Sequence, residues 1–231
     1  MTDITDHLAD IERRIDFALE RAGRERETVT IVAVSKMQSA DAVRAAAAAG
    51  ITHFGENYLQ EGLGKLSAIA DPSLSWHFIG RIQANKTRPI AEHFAWVETV
   101  DQSKIALRLS AQRPANLPPL NVLIQLNADA EPQKGGVAPD ELLPLARTIA
   151  GLPRLALRGI MSIPPAAHSN AERRASFRAV RAAQCRLADA GLPVDTISMG
   201  MSADFELAIE CGATSVRIGT AIFSQRRAKP T

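Results

Sequence analysis

A chain of 231 residues with 46% hydrophobic content and no biased segment can bury a sizeable core, as one large α/β domain or as two small ones. The formal net charge is +2 and neither sign clusters apart from Arg226-Arg227, so the basic, aromatic-laced footprint of a nucleic-acid binder is missing. There is no apolar leader and no apolar run of the roughly eighteen residues a membrane span needs; Cys185 and Cys211 form no framework, and the histidines show no metal-ligand spacing. These features predict a cytoplasmic protein with reduced thiols, no metal and no membrane partner.

Ile4, Leu8, Ile11, Ile15, Ala18 and Leu19 recur at helical spacing from Thr2 or Thr5 to about Arg21, with Gly23 as a stop. The β-branched run from Thr30 to Val34, too short for a helix, reads as a buried strand that ends in Ser35 and Lys36. Ser39 then caps an alanine-rich helix over 40–49, closed by Gly50. The alternation continues with a strand at 51–54, a helix at 58–70, a strand at 76–79 and a helix through His93. A fourth strand is expected at 94–100, a helix at 102–112, and, after Pro114, Pro118 and Pro119, the longest apolar strand at 120–126. A polar loop over 127–136 leads to a helix at 139–150, a strand at 155–160 and a long helix at 170–190. A short strand around Thr196 and Ile197, a helix at 203–210 and a last strand at 214–218 complete the series.

Strands this apolar, each returning through a helix, imply a parallel sheet covered on both faces. Eight such units in 231 residues favour a single (β/α)8 TIM barrel with an extra N-terminal helix, spanning residues 1–231 as one domain. An open doubly wound sheet is the alternative. It usually offers a Gly-rich fingerprint after the first strand, where this chain has Ser35-Lys36-Met37-Gln38.

In a barrel, residues just past the strand C-termini line the site. They are Lys36, Asn57, His77 and Gly80, Asn127, Met161 and Ser162, the run from Ser198 to Ser202, and Arg217, Gly219 and Thr220. Lys36 fits two readings: a snorkelling side chain at a strand end, or an amine in a partly desolvated pocket that condenses with an aldehyde. Ser198, Gly200, Met201 and Ser202 are expected to open one helix, and Gly219 and Thr220 another, at the loops where barrels commonly hold phosphate. Plain turns and an ordinary N-cap would use the same residues. An aldehyde-binding lysine, a phosphate cradle and an arginine together suggest pyridoxal 5′-phosphate. Facing the pyridine nitrogen, the arginine's permanent charge disfavours protonation there and weakens the ring as an electron sink. A salt bridge at the barrel mouth is the other reading of Arg217.

Residues 33–36, 54–58, 76–80 with Gln83, Asn85 and Lys86, 159–161, 199–204 and 216–223 together resemble the pyridoxal-phosphate homeostasis proteins, the YggS or PROSC family, over nearly the whole chain. The resemblance implies a barrel like the N-terminal half of alanine racemase, with the cofactor held as an internal aldimine on Lys36. It places Asn57 near the cofactor, Arg217 at the pyridine nitrogen, and Ser202, Gly219 and Thr220 at the phosphate. It also implies a carrier active in vitamin B6 and amino-acid balance, without established turnover, with apo pyridoxal-phosphate enzymes as candidate recipients. Ser224 stands where the family usually has glycine, and Gln133-Lys134-Gly135-Gly136 varies its Lys-Ser-Gly loop.

An amino-acid racemase on the same barrel is the alternative function. A two-base racemase needs an acid/base on the cofactor face opposite the lysine. In the racemases the resemblance assigns that role to a tyrosine from a further domain. Here eleven residues follow Thr220 and the sole tyrosine is Tyr58, expected to pack on the helix after strand two. A monomer with no catalytic residue is therefore expected. A Schiff-base aldolase would also use a strand-end lysine, without a coloured cofactor.

Overall fold

The computed structural model describes residues 4–129, 135–165 and 167–223. The opening periodicity becomes α1 (Ile4–Ala22), whose buried stripe is Leu8, Ile11, Ile15, Ala18 and Leu19. Strands and helices then alternate: β1 (Thr30–Val34), α2 (Ala40–Ala48), β2 (His53–Glu56), α3 (Leu59–Ile69), β3 (Ser75–Phe78), α4 (Thr87–His93), β4 (Trp96–Val100) and α5 (Ser103–Gln112). The second half carries β5 (Leu120–Gln125), α6 (Leu142–Ala150), β6 (Leu155–Met161), α7 (Asn170–Asp189), β7 (Thr196–Met201), α8 (Phe205–Glu210), β8 (Ser215–Ile218) and α9 (Thr220–Phe223).

Neighbouring strands pair in parallel, and β1 closes on β8 from Thr30 opposite Ser215 to Ala33 opposite Ile218. The result is the expected closed eight-stranded barrel, which rules out the open doubly wound sheet. Most of the apolar core lies in one continuous cluster that draws on both sheet and helices and contains the fully buried Phe54, Phe94, Phe177 and Phe205. The last two helices span only six and four residues and cover little of the sheet near its closure. There α1 packs on α8 and α9, with Arg14 donating to Glu206 at 2.7 Å. Each fully buried aliphatic side chain of its stripe contributes about 1.5–3 kcal/mol, and Ile15→Asp would bury an unpaired carboxylate there.

Several expected boundaries move for local reasons. The second strand starts at His53, because Ile51 belongs to the end of α2: its N–H donates to Ala46 O at 3.1 Å while that of Gly50 donates to Ala47 O at 3.0 Å. That pair of bonds is a Schellman closure, with buried Ile51 as its apolar contact. Phe94 likewise closes α4, donating to Ile90 O, so β4 begins at Trp96. The seventh strand is longer than expected and absorbs residues 198–201, which do not open a helix; α8 begins only at Phe205.

Candidate functional site

Lys36 lies just beyond β1 in a turn closed by Gln38 N–H to Ser35 O at 3.0 Å. Met37, the next residue, has φ +62°, a conformation that turns usually reserve for Gly or Asn. Its strain is held from outside the turn. The Met37 amide donates to the Glu61 carboxylate, and Lys65 Nζ on α3 donates to Ser35 O at 2.5 Å, to Glu56 Oε1 at 2.7 Å and to Glu61 Oε1 at 2.7 Å. Ser35 Oγ adds a bond to Glu56 Oε1 at 2.6 Å. Burial pushes the Glu56 carboxyl above its usual range against the pull of Lys65 and Ser35, and its Oε2 has no partner. Lys36, half-buried, makes no hydrogen bond or ion pair with any described residue. The backbone around it is fixed and its amine is free.

Strand pairing sets the neighbours of that amine: Val34 lies opposite Gly55 on β2, and Ala33 opposite Ile218 on β8. Asn57, two residues past Gly55, has a buried Oδ1 with no partner. Gly80 permits the close approach of the third strand's end to that segment, since a Cβ there would stand 2.0 Å from Asn57 O. Tyr58 does not pack on α3 as expected. It occupies the N-cap position and is 58% exposed, while Leu59 takes the buried place.

On the other side of Lys36, Gly200 has φ +93° at a register shift in β7, and a Cβ there would meet Ala208 Cβ at 2.6 Å. Past the bulge the strand runs on to Met201, and the chain then turns at Ser202. Met201, its side chain at the surface, gives its amide to Asp204 Oδ1 at 2.7 Å. Ser202 Oγ accepts long bonds from Gly219 N–H at 3.3 Å and Ala221 N–H at 3.4 Å. Gly219 lies against Val34, with its Cβ position 3.2 Å from Val34 O, and exposed Thr220 opens α9. Two amides and two hydroxyls are thus gathered next to the strand that carries Lys36, a donor set suited to an anion.

Ser198 is not part of that cradle. Its hydroxyl is fully buried, donates to Glu98 Oε2 at 2.6 Å and accepts from Arg217 Nη1 at 2.6 Å. Arg217 Nη2 donates to Ser162 O at 3.0 Å, and Glu98 Oε2 is 3.9 Å from the guanidinium. Because β4 is not a neighbour of β7 or β8, these contacts cross the barrel lumen. Glu98 Oε1 accepts from His77 Nδ1–H at 2.7 Å, and His77 Nε2 lies 2.9 Å from His53 Nδ1. His77 therefore points into the lumen, stacked on Trp96, and not to the strand ends. Burial works against the Glu98 carboxylate, but His77, Arg217 and Ser198 outweigh it and hold the group below its usual range. Burial lowers Arg217 against the support of Glu98 and Asp204, and burial with the neighbouring His77 depresses His53 to about 4.

The remaining strand-end candidates are structural: Met161 is fully buried, Ser162 Oγ donates to Leu126 O at 3.1 Å, and Asn127 N–H donates to Val137 O. Ser224, Gln133 and Lys134 lie outside the described residues. Among the described residues no His, Cys, Asp or Glu group is placed to hold a metal, and Cys185 and Cys211 are unpaired. Sequence reasoning missed Lys65 and Glu98. Lys65 had a signal, since it shares a helix face with the buried Leu59 and Gly62 and follows Glu61 by four residues.

The donor set fits the expected cofactor: a free amine for an aldehyde, an anion cradle, an orphaned Asn57 oxygen and a buried guanidinium. The alanine racemase N-terminal domain model matches residues 7–227. A pyridoxal phosphate homeostasis protein of Pseudomonas aeruginosa is 54% identical over 226 residues, covering 98% of this chain and 97% of the relative. That of Escherichia coli is 49% identical over 234 residues, covering 98% of each. The solved structure of PipY from Synechococcus elongatus with pyridoxal phosphate bound superposes with a TM-score of 0.85 at 33% identity, over 96% of this chain and all of that one. Alanine racemase from Corynebacterium glutamicum, 18% identical, shares the fold with a TM-score of 0.65 over 97% of this chain and 64% of its own length. With full-length identity at this level, the chain belongs to the pyridoxal phosphate homeostasis protein family, built on the alanine racemase N-terminal barrel.

Proposed function

We propose that this chain is a pyridoxal 5′-phosphate carrier: one barrel unit, acting as a monomer in the cytoplasm, that holds the cofactor through Lys36 and releases it to apo pyridoxal-phosphate enzymes. The observation that carries this reading is the unpartnered amine of Lys36, set in a clamped turn beside the Ser202–Gly219–Ala221 cradle. When bound, the cofactor supplies an aldehyde for the amine and a phosphate dianion for the cradle. Ser202, Gly219 and Thr220 hold the phosphate, with Gly200 shaping the approach and Met201 at its exposed edge. Asn57 offers its free Oδ1 to the ring side. Arg217 meets the pyridine nitrogen, and Ser198 supports Arg217 from inside the lumen. A permanently charged guanidinium leaves the nitrogen unprotonated, so the protein retains the cofactor without making it a strong electron sink. Among the described residues none is assigned as an acid/base opposite Lys36, which favours a carrier over a racemase.

The test is reconstitution. The wild-type chain mixed with pyridoxal 5′-phosphate and desalted is expected to keep a near-visible absorption band, and Lys36→Ala to lose it. A colourless wild-type protein contradicts the reading. Incubation with single-enantiomer amino acids is expected to leave their chirality intact, and sustained turnover would replace the carrier with a racemase.

A further inference from the structure

The lumen of a (β/α)8 barrel is ordinarily packed with branched aliphatic side chains. Here it carries a carboxylate, Glu98, only 1% exposed, on a strand that borders neither β7 nor β8. Burying that charge is costly unless it is fully paired, and both its oxygens are: Oε1 by His77, Oε2 by Ser198 with Arg217 at 3.9 Å. The pairing reaches Arg217. Arg217 has one terminal nitrogen fixed by Ser198, whose hydroxyl is oriented by Glu98, and the other by Ser162 O.

Resting on the carrier reading above, we infer that Glu98 is the positioning residue for Arg217: through Ser198 it aims the guanidinium at the cofactor's ring and supplies its counter-charge. The line does not end at Glu98. His77 passes it to His53, which lines a cavity of about 400 Å³ at the opposite end of the barrel with Thr30, Trp96, Arg158, Asp195 and Thr196. All but Asp195 come from within their strands, and Thr30, His53, Trp96 and Thr196 are the first residues of theirs. A group in the cofactor mouth is thus supported by hydrogen bonds that run the depth of the barrel. The ionisable groups facing this line are His53, His77, Glu98, Arg158, Asp195, Asp204 and Arg217.

Glu98→Gln keeps the shape and removes the charge, and it leaves one accepting oxygen where Glu98 uses two, for His77 and for Ser198. Pyridoxal 5′-phosphate retention is expected to fall about tenfold, a loss of aim worth one order in Kd. The midpoint of the pH titration of the bound cofactor's near-visible band is expected to move by at least about half a unit, because the charge balance at the ring has changed. Glu98→Asp, which restores the charge one methylene short, should lie between the two. A purely structural role would lower thermal stability in Glu98→Gln and leave the titration midpoint and retention where they are, which would overturn the inference. Should that variant fail to fold, Ser198→Ala removes the link and keeps the charge; the same two shifts, smaller, are expected, and their absence is equally decisive. A wild-type chain that takes up no cofactor removes the carrier reading and this role together, whereas normal wild-type binding with unchanged variants removes this role alone.

Discussion

Two lysines meet the same short segment of chain and share nothing else. Lys65, 6% exposed, spends all three ammonium hydrogens on Ser35 O, Glu56 and Glu61. Lys36, half-buried one residue past that same carbonyl, spends none. Burial alone therefore does not make a lysine available for chemistry; the lack of a partner does. The first lysine is part of the scaffold that makes the second usable, since it fixes the carbonyl preceding Lys36 while Glu61 fixes the amide after it.

The two lysines part most sharply on substitution. Lys36→Ala should abolish the near-visible band of the reconstituted protein and change unfolding free energy by less than about 0.5 kcal/mol, the range of a side chain with no partners. Lys65→Met should do the reverse at first: it strands Glu56 in the interior, costing about 3–5 kcal/mol in a urea unfolding titration, with loosened cofactor retention as a secondary effect. Equal stability of the two variants would dissolve the distinction.

A smaller effect concerns the far end of the barrel. The folded pKa of His53 is depressed to about 4 from 6.5, so between those values the unfolded chain binds more protons. Stability from this group is complete above pH 6.5 and is lost as pH falls towards 4. Unfolding midpoints measured across that window should decline in the wild type and decline less in His53→Gln. The smallest effect is at the turn itself. Met37→Gly relieves the left-handed backbone but frees the unfolded chain, and the two offset to within about 1 kcal/mol. Slower uptake of cofactor by that variant in stopped-flow absorption would show that the turn's rigidity matters.

The barrel and Lys36 were legible because they rest on local patterns: β-branched runs of strand length, helices punctuated by glycine, and a polar residue at each strand end. Ile51 misled because apolar character marks a helix closure as readily as a strand start. Ser198 reads as opening a helix because the bulge at Gly200, which lets β7 run on to Met201, depends on packing against Ala208 and Phe205 from the following helix. His77 reads as a strand-end candidate although it lies inside β3, and Glu98 reads only as a polar residue inside an apolar strand. The meaning of Glu98 lies in partners that closure brings across the lumen, Ser198 and Arg217, and His77 joins them only through Glu98.

Of the two lysines, Lys36 is the one proposed to hold the cofactor. Borohydride reduction of the pyridoxal 5′-phosphate-loaded protein followed by peptide mass mapping tests it directly. The account predicts a single pyridoxyl increment on the peptide containing Lys36 and none on that containing Lys65. An increment on Lys65, or on any other lysine with Lys36 unmodified, would contradict it.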